Sequence, residues 1–117
     1  MLDKHVELAE AAPGMIGLEL CLPLLLGLVR DGVLTLGRLV DALTAAPAKV
    51  AGLPVPRIKE GARADLVLVA PGVRWTIDPA RLLSKSRNTP FSGRAVQGRV
   101  EMTVCEGRIV HEAATAT

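Results

Sequence analysis

Apolar residues follow two different rhythms along this chain. Up to about residue 45 they group as helices require; from Arg57 onward they alternate, or run in short blocks, as strands do. Leu18 to Arg30 carries apolar side chains around nearly its whole circumference, which predicts a buried helix packed on several sides. Pro23 fits such a helix only in its first turn, where its missing N–H needs no partner. Asp31-Gly32 closes it. Thr35 is the expected N-cap of a second helix running to about Ala45, with Leu36, Leu39, Val40 and Leu43 on one face. Pro47 is expected to end that helix and open a short helical turn, Ala48 to Ala51, stopped by Gly52.

Leu53 to Pro56 reads as an extended linker. Ala64 to Ala70 is then a near-continuous apolar run between Gly61 and Pro71-Gly72, the pattern of a strand covered on both faces. Val73 to Ile77 is a second candidate strand. Asp78-Pro79 breaks it and starts a short helix. Val96 to Cys105 and Arg108 to His111 flank Glu106-Gly107, a hairpin turn. Met1 to Glu10 has weak helical character, and Ala113 to Thr117 should fray. The pattern predicts a helical half and a strand half, and a small sheet of this kind needs its edges covered.

Composition narrows the classes. At 117 residues this is at most one domain. Trp75 and Phe91 are the only aromatics, so the core is aliphatic. Charge is uneven: residues 1–50 hold four basic and six acidic residues, and residues 51–117 ten basic and six acidic. Those arginines are scattered and lack stacking aromatics, which excludes a typical nucleic-acid face. Cys21 and Cys105 are isolated and read as core thiols of a reducing compartment. The longest uncharged apolar run, Leu20 to Val29, is too short to span a bilayer. No signal peptide is evident, and the expected location is the cytoplasm.

Three blocks carry a family resemblance. Ala12-Pro13-Gly14-Met15-Ile16-Gly17-Leu18-Glu19, followed by Leu22-Pro23-Leu24-Leu25-Leu26, resembles the loop and helix after the last barrel strand of dihydroorotases. Ile58 to Val69 resembles the wider amidohydrolase pattern of a glycine followed by Ala-Asp-Leu-Val. Ser84 to Gly93, with Gly98 and Gly107, is again similar to dihydroorotases.

The resemblance implies an α/β fold: the C-terminal piece of a metal-dependent TIM barrel with its outer helices (1–52), plus part of a small β-subdomain (53–117). It implies a hydrolase that opens and closes the ring of dihydroorotate to give carbamoyl aspartate, a step of pyrimidine synthesis, with zinc as the family's metal. Fragments of an allantoinase or hydantoinase share the second block and part of the third. A non-catalytic scaffold binding aspartate transcarbamoylase is the other alternative.

Pro13 and Gly14 are the site residues the resemblance transfers. Main-chain N–H and C=O groups suit the imide-like edge of a flat ring, and glycine lets the backbone come close. Read from the residues alone, the same loop simply turns the chain into the helix. Glu19 is expected at a helix start, facing the dipole. Asn88-Thr89-Pro90 reads as a turn. Arg87, Arg94 and Arg99 read as surface or inter-segment ion-pair residues, with a carboxylate clamp as the alternative.

No catalytic residue and no metal ligand is assigned. His5 and His111 are the only histidines and lie near opposite ends, whereas a catalytic zinc needs about three protein ligands. The chain is therefore expected to bind no zinc and to be inactive alone. It is expected to be a piece of a longer enzyme or a remnant of one. Either should be a homo-oligomer, partly molten, or held by a partner, with no nucleic acid and no membrane.

Overall fold

The computed structural model describes residues 7, 9–11 and 13–113. The readings made for His5, for the first residues and for residues 114–117 lie outside them.

Three helices come first: α1 (Cys21–Arg30), α2 (Leu36–Leu43) and α3 (Ala45–Val50). Pro23 is the third residue of α1, inside its first turn as required, and is buried. Thr35 caps α2: its hydroxyl oxygen accepts the Arg38 N–H at 3.2 Å. Two expectations fail here. Pro47 does not end α2, which stops at Leu43. Thr44 leaves helical geometry, and Pro47 sits in the first turn of α3, where it blocks no bond. The predicted inner face of α2 is also mostly bare. Leu39 is buried, whereas Leu36, Val40 and Leu43 are exposed.

The second half is an antiparallel sheet in the order β1-β2-β3, with β1 (Leu66–Thr76), β2 (Ala95–Cys105) and β3 (Arg108–Glu112). The two predicted strands before Asp78 are one. Both halves of β1 pair with β2, from Leu66↔Val104 to Thr76↔Ala95, and the Pro71-Gly72 excursion is absorbed as an irregularity between Ala70 and Arg74. Proline is tolerated because β1 lies at the sheet edge and part of its N–H row has no ladder partner. The β2–β3 turn has Glu106 at φ 50° and Gly107 at φ 78°, the paired left-handed residues of a tight hairpin.

The expectation that β1 is covered on both faces is wrong for this chain. Val67 is 55% exposed and Leu68 48%. Neighbouring residues of a strand point to opposite faces, so neither face of this half of β1 is covered.

The core lies elsewhere. Leu20, Ile77 and Val96 are buried together, with Leu24, Trp75, Leu82 and Phe91 packed against them. Helix α1 rests on β2 at Gly98. A Cβ there would come within 2.3 Å of Leu26 Cδ1, and the φ of +96° independently favours glycine. Trp75 Nε1 donates to Gly98 O at 3.0 Å, which closes this contact from the β1 side.

Candidate functional site

Two segments far apart in sequence meet beside this core. One is the loop from Pro13 to Leu20 that leads into α1. The other runs from Asp78 to Gly93, between β1 and β2. Its neck is pinned by two backbone bonds, Ile77 N–H to Arg94 O at 3.0 Å and Gly93 N–H to Ile77 O at 2.8 Å. Asp78 starts it by accepting the Ala80 N–H at 2.9 Å, which caps a single 3₁₀ turn over Pro79–Arg81, as its Asp-Pro sequence predicts. Leu82 and Phe91 anchor it in the core. Arg87 Nη1 donates to Leu82 O at 2.9 Å and also to Ser84 O, stapling the segment from within.

Asn88 and Glu19 join the two segments. The Asn88 amide nitrogen donates to Gly14 O at 2.7 Å and to Pro13 O at 3.3 Å. The Asn88 carbonyl accepts the Ile16 N–H at 2.9 Å. In the opposite direction, the Glu19 carboxylate accepts from Leu83 N–H at Oε2 and Ser84 N–H at Oε1, each at 2.9 Å. Glu19 stands two residues before α1 begins, and its hydrogen-bond partners lie in the other segment. Its carboxylate accepts charge-assisted hydrogen bonds from backbone donors of that segment. Asn88 is likewise more than a turn residue. Its two loop partners lie 74 and 75 residues away, so no local pattern could reveal them.

Pro13 and Gly14 stand exposed on this clamped loop. Gly14 has φ +61°, and a Cβ there would meet no described atom within 4 Å. Among the described residues, nothing crowds that side of the turn. Beside it lies an open cavity of about 450 Å³ lined by Ile16 to Leu20 and Leu82 to Ser84. Leu18 and Leu83 expose their apolar side chains on its rim. The arrangement sets exposed backbone beside an apolar-rimmed cavity, whose one carboxylate among the described lining residues, Glu19, is engaged by backbone N–H groups.

The other candidates do not join this site. Arg99 pairs with Glu101 at 2.6 Å, and the Arg94 guanidinium lies 5.8 Å from the Phe91 ring centroid. Arg87 is bound to backbone carbonyls, so the three arginines do not converge as a clamp. Cys21 and Cys105 are exposed rather than core thiols. Cys21 opens α1, and Cys105 ends β2 beside the hairpin turn. His111 lies exposed on β3. Among the described residues, no three His, Cys, Asp or Glu side chains are grouped to hold a metal ion. These residues therefore do not fit a zinc site, and no step is assigned to a metal held by them.

The model of the amidohydrolase family matches residues 7–110, and the chain belongs to that family. Within it, the similarity is to dihydroorotases. The chain is 52% identical over 111 residues to the dihydroorotase of Anaeromyxobacter dehalogenans strain 2CP-C, covering 95% of this chain and 26% of that protein. It is 44% identical over 112 residues to the dihydroorotase of Syntrophus aciditrophicus, covering 96% and 26%. Among solved structures, the L-hydantoinase (dihydropyrimidinase) of Arthrobacter aurescens aligns with a TM-score of 0.80 at 33% identity, covering 89% of this chain and 24% of that one. The chain thus spans about a quarter of the length of the relatives it matches. No helix among the described residues is long and apolar enough to cross a membrane.

Proposed function

We propose that this chain supplies the substrate-loop portion of a dihydroorotase-type cyclic amidohydrolase, the enzyme class that interconverts dihydroorotate and carbamoyl aspartate. In this reading residues 1–52 belong to the end of a TIM barrel and residues 53–117 to its small β-subdomain. The Pro13-Gly14 backbone contacts the ring, and the reacting groups and the family's zinc lie outside the described residues. The observation that carries the reading is the exposed Pro13-Gly14 turn, whose two carbonyls the Asn88 amide holds. A preformed turn of this kind lowers the entropy lost on binding. The 52% identity to a dihydroorotase supports the choice of substrate class. No described residue argues for aspartate transcarbamoylase as a partner.

The test is a chimera in which this chain replaces the matching quarter of the Anaeromyxobacter dehalogenans enzyme. Opening of dihydroorotate is the expected result. The hydantoinase likeness favours a second reading, a ring-opening enzyme for hydantoins or dihydropyrimidines. A chimera that opens those rings in preference to dihydroorotate selects it. A folded chimera that opens neither overturns both.

A further inference from the structure

We infer that Asn88 is the positioning residue of the Pro13-Gly14 loop and that Glu19 is its counterpart, so the Asp78–Gly93 segment sets affinity for the cyclic amide through the backbone of that loop. The inference rests on the substrate-loop reading above.

The chain of contacts is continuous. Leu82 and Phe91 tie the segment to the core of Leu20, Ile77 and Val96. The neck at Ile77 and Arg94 fixes where the segment leaves the sheet. Glu19 then holds Leu83 and Ser84, and Asn88 holds Pro13, Gly14 and, through its main chain, Ile16. The position of the turn is thereby referenced to the core through Asn88, by its side chain at Pro13 O and Gly14 O and by its main chain at Ile16 N–H. The chemistry of that side chain is specific. Two carbonyl oxygens can only accept, and the amide nitrogen of asparagine supplies two donors. An ionised aspartate of nearly the same shape has none and would set its charge against both oxygens. Glu19 is the complementary choice, an acceptor-only group facing two N–H donors.

The experiment uses the same chimera. Asn88→Ala is expected to raise KM for dihydroorotate about tenfold and leave kcat within about twofold, the signature of lost binding that is equal in ground and transition states. Asn88→Asp should be at least as damaging at neutral pH, and Asn88→Gln, which keeps the donors, should recover part of the loss. Glu19→Gln should give a smaller rise in KM, because one acceptor oxygen remains. A side chain that only fills space predicts the reverse order, with Asn88→Asp mild. An active parent chimera whose Asn88→Ala and Asn88→Asp variants keep its KM overturns this inference and leaves the functional reading standing. A folded parent inactive on every cyclic amide tested overturns both.

A second measurement needs no activity. In the 117-residue chain, Asn88→Ala should speed hydrogen exchange at the Ile16 amide about tenfold while the Trp75 indole N–H stays protected. Unchanged exchange at Ile16 overturns the positioning role even if the variant enzyme is too unstable to assay.

Discussion

The junction of α1, the central strand and the Asp78–Gly93 segment differs sharply from the outer half of the sheet. At the junction, Leu20 and Ile77 are almost wholly buried, the Leu26 Cδ1 methyl sits where a Cβ on Gly98 would go, and backbone donors and carbonyls are matched by Glu19 and Asn88. In the outer sheet, Leu66 to Val69 and Ile109 to Val110 have strand character and apolar side chains but no cover. Sequence character is nearly the same in the two regions. What separates them is whether the complementary surface lies within the chain. Apolar strands record the environment a segment is built for, and burial records what this chain alone provides.

That contrast is broken most directly at Gly98. Gly98→Val is expected to destabilise the chain by about 2–5 kcal/mol, combining a left-handed backbone forced on a β-branched residue with overpacking against Leu26. Urea titration of the 117-residue chain reads this as a lower midpoint. Adding Leu26→Ala should return part of the loss, since it removes the clash but not the backbone strain. Ile77→Ala should lower stability by about 2–5 kcal/mol through a cavity in the core. By contrast Val67→Ala, on the bare sheet, should stay within about 0.5 kcal/mol. Equal effects at Ile77 and Val67 would remove the distinction between the two regions.

Local signals in the sequence were legible and nonlocal ones were not. The Thr35 cap, Pro23 in a first turn, the Asp78 start and the Glu106-Gly107 hairpin each depend on residues within four positions of one another, and each stands as read. Proline and glycine normally punctuate, so Pro71-Gly72 reads as a break between two strands, and only the pairing with β2 shows that both halves share one partner. The inner face of α2 and the double cover of β1 were read from apolar pattern, which does not say where the covering surface comes from. The candidate site was half visible. Pro13 and Gly14 came from a family resemblance, whereas Asn88 and Glu19 act across more than sixty residues and leave no periodicity to find.

The outer sheet sharpens the comparison in a second way. An exposed apolar patch beside an unpaired strand edge favours association. The 117-residue chain is expected to self-associate in sedimentation velocity at micromolar concentration. Val67→Lys together with Ile109→Lys should shift it towards monomer with little change in the urea midpoint, because both positions are already exposed. A wild-type chain that is strictly monomeric and melts in one sharp transition would show that the bare sheet has no drive to be covered.

The smallest effect is electrostatic and sits at the hairpin. Asp65 Oδ1 accepts the Glu106 N–H at 2.8 Å, just where φ turns positive, and the Asp65 carboxylate also pairs with Arg63. The Glu106 amide, more than the Arg63 charge, holds the Asp65 carboxyl below its ordinary 3.8. A carboxyl depressed by folding adds stability that is complete above the unfolded-chain value and fades as pH falls through the lower folded value. The hairpin should therefore be indifferent to pH from neutrality down to about 4 and loosen only below 3.8. The Glu106 amide resonance should titrate with Asp65, with a midpoint under 3.8. Asp65→Asn keeps an acceptor oxygen and loses the charge, so it should abolish that titration while leaving the β2–β3 pairing in place. The pair with Arg63 is solvent-exposed and screened, so added salt should barely change the result. A midpoint at or above 3.8 would mean that the hairpin turn is held by its φ-positive residues alone.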